Sequence, residues 1–144
     1  MNQLASAIAL LPAKSKPLDA EKITINLGYV DLGHVDLLVS EGFYSNRTDF
    51  IRTAIRNQLT AHGETLKQVV ARKMLVLGLQ QFDAAALEAV RAAGQTLQIR
   101  VLGLASIGPD VTPELALATI ESINVLGALH ASTAVKTALA GRIR

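Results

Sequence analysis

Residues able to do chemistry are sparse in this chain and are not gathered as a reaction would need. There is no cysteine, which removes disulfides, thiolate metal sites and sulfur nucleophiles together and fits a reducing compartment. His34, His62 and His130 stand in three different segments, whereas a transition-metal site needs clustered ligands. No metal is expected, and each histidine reads as a surface or satisfied core residue. The sequence holds no Gly-rich phosphate loop, no serine framed by the glycines of a nucleophile elbow and no histidine pair on one helical face, and its carboxylates are scattered. Neither catalysis nor a cofactor is expected. What remains is hydrogen-bonding chemistry. Lys22, Thr24 and Asn26 lie two residues apart and offer an ammonium donor, a hydroxyl beside a methyl, and an amide that both donates and accepts.

That spacing belongs to a strand. Ile23, Ile25 and Leu27 alternate with the polar three, the period-2 pattern of a half-buried strand over 22–27. A helix is expected from about Asp31, with Leu32, Val35, Leu38 and Val39 at helical spacing and Gly42 as its stop. Asn46 and Asp49 have the spacing of a capping box and open a second helix, whose stripe is Phe50, Ile51, Ala54, Ile55 and Leu59 and whose end is expected at Gly63. A lone strand cannot satisfy its own ladder. The simplest partner is the same strand of a second copy, paired antiparallel about a two-fold axis, with Ile23, Ile25 and Leu27 turned inward against the helices. Phe50, Ile51 and Ile55 complete that expected dimer core.

The text KITINLG followed by a helix ending in SEGFYSNRTDFIRTAIRNQL resembles the Arc, MetJ and CopG superfamily of ribbon-helix-helix repressors, over about residues 21–62. The resemblance implies a DNA-binding domain in which two copies intertwine and their paired strands enter the major groove. Carried onto this sequence, the base-reading side chains are Lys22, Thr24 and Asn26. Lys suits guanine O6 and N7, Asn suits adenine, and Thr offers a hydroxyl and a methyl. It further implies that a DNA phosphate is held by Ser45, Asn46, Arg47 and Thr48, where unpaired amides and the helix dipole favour an anion. Arg52 and Arg56, four apart, read as a solvated face.

Charge tempers the affinity. Within 21–62, Lys22, Arg47, Arg52 and Arg56 face Glu21, Asp31, Asp36, Glu41 and Asp49, so the stretch has one acid in excess and weak nonspecific attraction to a polyanion is expected. The whole chain carries only +2. Geometry, several dimers acting together, or a contact from Lys14 and Lys16 would have to compensate. Those two lysines lie between Pro12 and Pro17 in residues 1–20, which read as a flexible N-terminal arm.

After a helical connector over 63–72, containing Leu66, Val69 and Val70, a short text recurs: MLVLGL from Met74, IRVLGL from Ile99 and INVLGA from Ile123. The spacing, about 25 residues, suits a repeat of one strand and one helix. Asp83 before AAALEAVRAAG, Thr112 before Pro113, and Ser132 mark the helix starts, with the third unit truncated. Residues 73–144 are therefore expected to form a small α/β domain of about three strand-helix repeats with parallel strands, helices on one side or wrapped around the sheet. The turn SIGPDVTPE could hold a small anion, but plain capping by Thr112 is the simpler reading. With two exposed edges and little cover, the domain is expected to self-associate. Several members of the superfamily carry an added C-terminal domain that joins dimers or senses a ligand, and this half resembles them in position only.

The fold class is thus α+β: an N-terminal ribbon-helix-helix in an intertwined dimer, plus a C-terminal α/β repeat domain. Of the 144 residues 50% are hydrophobic and only 3% aromatic, so the core must come from Ala, Leu, Val and Ile. The opening residues lack the basic region of a signal peptide, and no apolar run reaches the roughly 20 residues of a membrane helix. A cytoplasmic protein is expected, with no membrane partner. The function expected is sequence-specific repression or autoregulation through double-stranded DNA, as a homodimer and, through residues 73–144, a tetramer or higher. The alternative is an antitoxin-like or plasmid-partition, architectural DNA-binding protein whose C-terminal half holds a protein partner or polymerises.

Overall fold

A computed structural model of the chain describes residues 20–144. Lys14 and Lys16, expected to touch DNA, lie outside the described residues.

Helix α1 spans Tyr29–Ser40 and stops where expected. Gly42 takes φ 84, its amide donates to the Val39 carbonyl at 3.1 Å and the Phe43 amide to that of Leu38 at 3.0 Å, so glycine's freedom in the left-handed region closes the last turn. Helix α2 is Arg47–Ala61. Gly63 does not end it, as expected, but opens helix α3, Gly63–Lys73, with His62 the only residue between the two helices. A Cβ at Gly63 would meet nothing within 4 Å and its φ is not positive, so this glycine has no need of left-handed backbone. The connector is that third helix, and it runs on to Lys73. It ends on Met74 at φ 51, with Leu75 donating to the Val70 carbonyl at 3.1 Å. Here a methionine takes the conformation that glycine takes after α1.

The repeated text becomes a sheet. Strands β1 (Val76–Phe82), β2 (Leu97–Ile107) and β3 (Ile120–His130) pair in the order β1-β2-β3, all parallel. The sequence repeat is the register: Val76 lies beside Val101 and Val101 beside Val125, while Gly78, Gly103 and Gly127 form a row. Their φ values are 113, 140 and 123. A side chain at Gly103 would run into the Gly78 carbonyl oxygen, and one at Gly127 into that of Gly103. At Gly103 and Gly127 the recurring Gly is therefore a packing requirement, since only a residue without Cβ lets neighbouring backbones approach this closely, whereas Gly78 has open space beside it and needs glycine for its backbone angle alone.

Helices α4 (Ala84–Ala92), α5 (Pro113–Thr119) and α6 (Thr133–Ala138) follow the strands. All three expected caps form: Asp83 accepts from the Ala86 amide at 2.7 Å, Thr112 from Leu115 at 3.2 Å and Ser132 from Val135 at 3.2 Å. Each satisfies an amide that the first helical turn leaves unpaired. Gly94, at φ 65, stops α4 as expected. The helices lie on one side, where Leu87, Leu115, Ala116, Val135 and Leu139 join Ile99, Val101, Ala105 and Ile123 in a continuous core. In SIGPDVTPE, Asp110 turns its carboxylate to the Ala84 amide at 3.3 Å. A carboxylate there disfavours a second anion, and capping by Thr112 stands. The chain end returns to the sheet: Ile143 bridges Ile123 in parallel, Arg144 donates to the Ile123 carbonyl at 2.8 Å, and Arg142 donates to the carbonyls of Leu117 and Ile120, each at 2.7 Å.

Candidate nucleic-acid interface

The segment before α1 behaves as its sequence requires in the absence of a partner. Residues 20–28 form no strand and make no ladder with any other described segment. The half-buried strand expected over 22–27 is here an exposed stretch: it pairs with no described segment, not even the open outer edge of β1. Lys22, Thr24 and Asn26 are all exposed, and so are the residues meant to turn inward, Ile23 at 75% and Ile25 at 57%. The helix pair offers little shelter. Phe50 and Ile51 are half-buried and Ile55 is exposed, while among the described residues before Leu75 the one buried hydrophobic residue is Val35.

At the start of α2 the sequence builds a tight corner. The Asn46 side chain accepts from the Asp49 amide at 2.8 Å, and the Asp49 carboxylate accepts from the Ser45 amide at 3.0 Å, a reciprocal cap displaced by one residue from the usual box. Tyr44 stacks edge-on against Phe50 with ring centroids 5.1 Å apart, bracing the turn. Arg47 reaches back to α1 and grips Asp36 with two parallel hydrogen bonds of 2.7 and 2.8 Å. The guanidinium holds the Asp36 carboxyl below its ordinary range, chiefly through these hydrogen bonds, and the carboxylate in turn raises the Arg47 group. Both side chains are about half exposed, so the pair fixes the angle between helices more than it adds stability.

The four residues expected to hold phosphate are thus brought together, on unequal terms. The Ser45 amide is already engaged by Asp49, and the Arg47 side chain by Asp36. The first helical hydrogen bond runs from Phe50 to the Asn46 carbonyl at 3.2 Å. The amides of Arg47 and Thr48 precede it and point out of the helix start, where the dipole favours an anion. Lys73, Arg100 and Arg144, with Glu121, line a cleft of about 440 Å³. No sequence signal marks it, because its residues are brought together by the sheet register, the end of α3 and the returning tail. Among the described residues no three of His, Asp and Glu gather as a metal site, and no helix is long and apolar enough to cross a membrane.

A short alternating segment, a glycine-capped helix and an Asn-capped helix follow one another here in the order expected of a ribbon-helix-helix regulator. Residues 18–136 match the model of the Ribbon-Helix-Helix transcriptional regulator family, and the chain belongs to that family. It is a DNA-binding transcriptional regulator. The match runs through the three strands and into α6, so the sheet half is part of what defines the family and not a private addition to this chain. No curated protein and no solved structure matches it.

Proposed function

We propose that the chain is a sequence-specific repressor or autoregulator that works as a dimer, with two copies of residues 22–27 zipped antiparallel in the major groove. The observation that carries this reading is the state of that segment in one chain: Ile23, Ile25 and Leu27 are 75%, 57% and 43% exposed, on a backbone that pairs with no described segment, and Lys22, Thr24 and Asn26 are exposed beside them. A second copy satisfies both deficits at once, burying the apolar side chains at about 1.5–3 kcal/mol each and pairing the backbone. Lys22, Thr24 and Asn26 then face base edges. The amides of Arg47 and Thr48 hold a phosphate, while Ser45 and Asn46 shape the corner that presents them and the Ser45 hydroxyl stays available.

Selection of bound sequences from a random DNA pool, read beside the mass of the complex, tests this. A palindromic or tandem site with one dimer per pair of half-sites is expected. Lys22→Ala and Asn26→Ala should each relax discrimination at one base position by about 1–3 kcal/mol. If both variants keep the parent's site and affinity, the ribbon does not read bases.

A further inference from the structure

Parallel sheets are ordinarily buried on both faces, and this one carries helices on one side only. The register places Leu77 and Leu79 of β1, Leu102 and Leu104 of β2, and Leu126 and Ala128 of β3 on the other side. Leu77 is 72% exposed and Leu79 59%. A face built for water would alternate to polar side chains here, whereas the middle of this one is leucine on all three strands. Its one Lys, Arg, Asp or Glu, Arg100, sits near the end where the strands begin.

Area and charge say what covers it. Three strands about 4.8 Å apart, each giving about five residues at about 3.3 Å, present on the order of 250 Å². A free partner needs roughly 800 Å² on its side for a stable complex, so this patch alone is too small to recruit one. A copy already held nearby needs far less, because tethering makes the second contact intramolecular. A two-fold axis through the centre would set leucines against leucines and put the two Arg100 side chains at opposite ends, with no like charges opposed.

We propose that, within one dimer, the open sheet face of each chain packs against that of its partner, the two sheets about 10 Å apart as packed sheets are. The tether in this proposal rests on the ribbon pairing above. The competing cover is the chain's own leading segment, since Ala20, Glu21 and Ile23 border a cavity of about 500 Å³ shared with Leu79 and Leu104.

The absence of cysteine makes single-cysteine reporters clean. Leu104→Cys reports the face, Thr24→Cys the ribbon and Glu88→Cys the helix-covered side, each in the full chain treated with a short bis-maleimide. Covalent dimers are expected from the first two, formed at least about tenfold faster than from Glu88→Cys, which is exposed and outside both contacts. If Thr24→Cys links while Leu104→Cys is no faster than Glu88→Cys, the face proposal is overturned and the ribbon stands. If only Leu104→Cys links, the face pairs without its tether and the ribbon reading fails. If Leu104→Cys resists alkylation but never links two chains, the leading segment is the cover and the proposal falls. In Leu79→Asp/Leu104→Asp, both on the outer face, a Leu126→Cys reporter should alkylate at least about tenfold faster than in the parent. An unchanged rate, or a tetramer by sedimentation, counts equally against pairing within the dimer.

Discussion

From Glu21 to Lys73 the chain forms three helices yet buries one hydrophobic side chain, Val35, whereas the sheet half encloses Leu87, Val101, Ile123, Val135 and Leu139 completely or almost so. Local signals operate in both halves, although α1 and α3 begin without the side-chain cap that opens α2 and every α-helix of the sheet half. Asn46 caps α2 as Asp83 caps α4, and Gly42 ends α1 as Gly94 ends α4. Capping fixes where a helix begins and ends; it does not supply the burial that holds helices together, which comes from packing an amphipathic face. The sheet half finds that packing within one chain. The helix pair does not, and on our reading it finds it in a second copy.

The contrast can be broken at its strongest point. Leu87→Ala removes a fully enclosed side chain and should cost about 2–5 kcal/mol by denaturant titration of the sheet half, at any protein concentration. If dilution changes that cost, the sheet half is not self-sufficient. Ile25→Ala should cost about 1.5–3 kcal/mol per chain in the concentrated protein and almost nothing on strong dilution, where the parent also loses its N-terminal protection in hydrogen exchange. No cost at any concentration would remove the need for a partner. At the boundary between the halves, Met74→Gly relieves left-handed backbone at a residue with a side chain and should stabilise by about 1 kcal/mol in thermal unfolding. The smallest effect concerns Asp36, whose titration by NMR should fall below the ordinary value and return to it in Arg47→Ala. Because the folded value is the lower one, the pair's contribution is present above the ordinary Asp range and is lost as pH falls through the depressed value.

Much of the sheet half was legible because its instructions are local and repeated. Three caps, a glycine stop and three copies of one text determine strands, helices and even register, once the glycines are seen to need each other across the sheet. The N-terminal half was legible as a pattern, and its alternation over 22–27 stays an unpaired stretch in the single chain because a ladder is a property of two edges. Gly63 misled because glycine signals a helix stop only where the backbone turns left-handed, which here happens at Met74 and not at Gly63. The grip of Arg47 on Asp36 and the return of Arg142 and Arg144 to the sheet could not be read at all. Those pairs are 11 or more residues apart in the chain, and nothing in either partner's surroundings in sequence announces the other. Of the candidate site, the polar triplet was legible and the prior engagement of the Ser45 amide was not.

The tail folded against Ile123 gives the sheet a direction. One border is met near its starting end by Ile143 and Arg144, and the other, along β1, pairs with no described strand. An arriving strand would therefore find the whole length of β1 open but, on β3, only the stretch beyond Ile123.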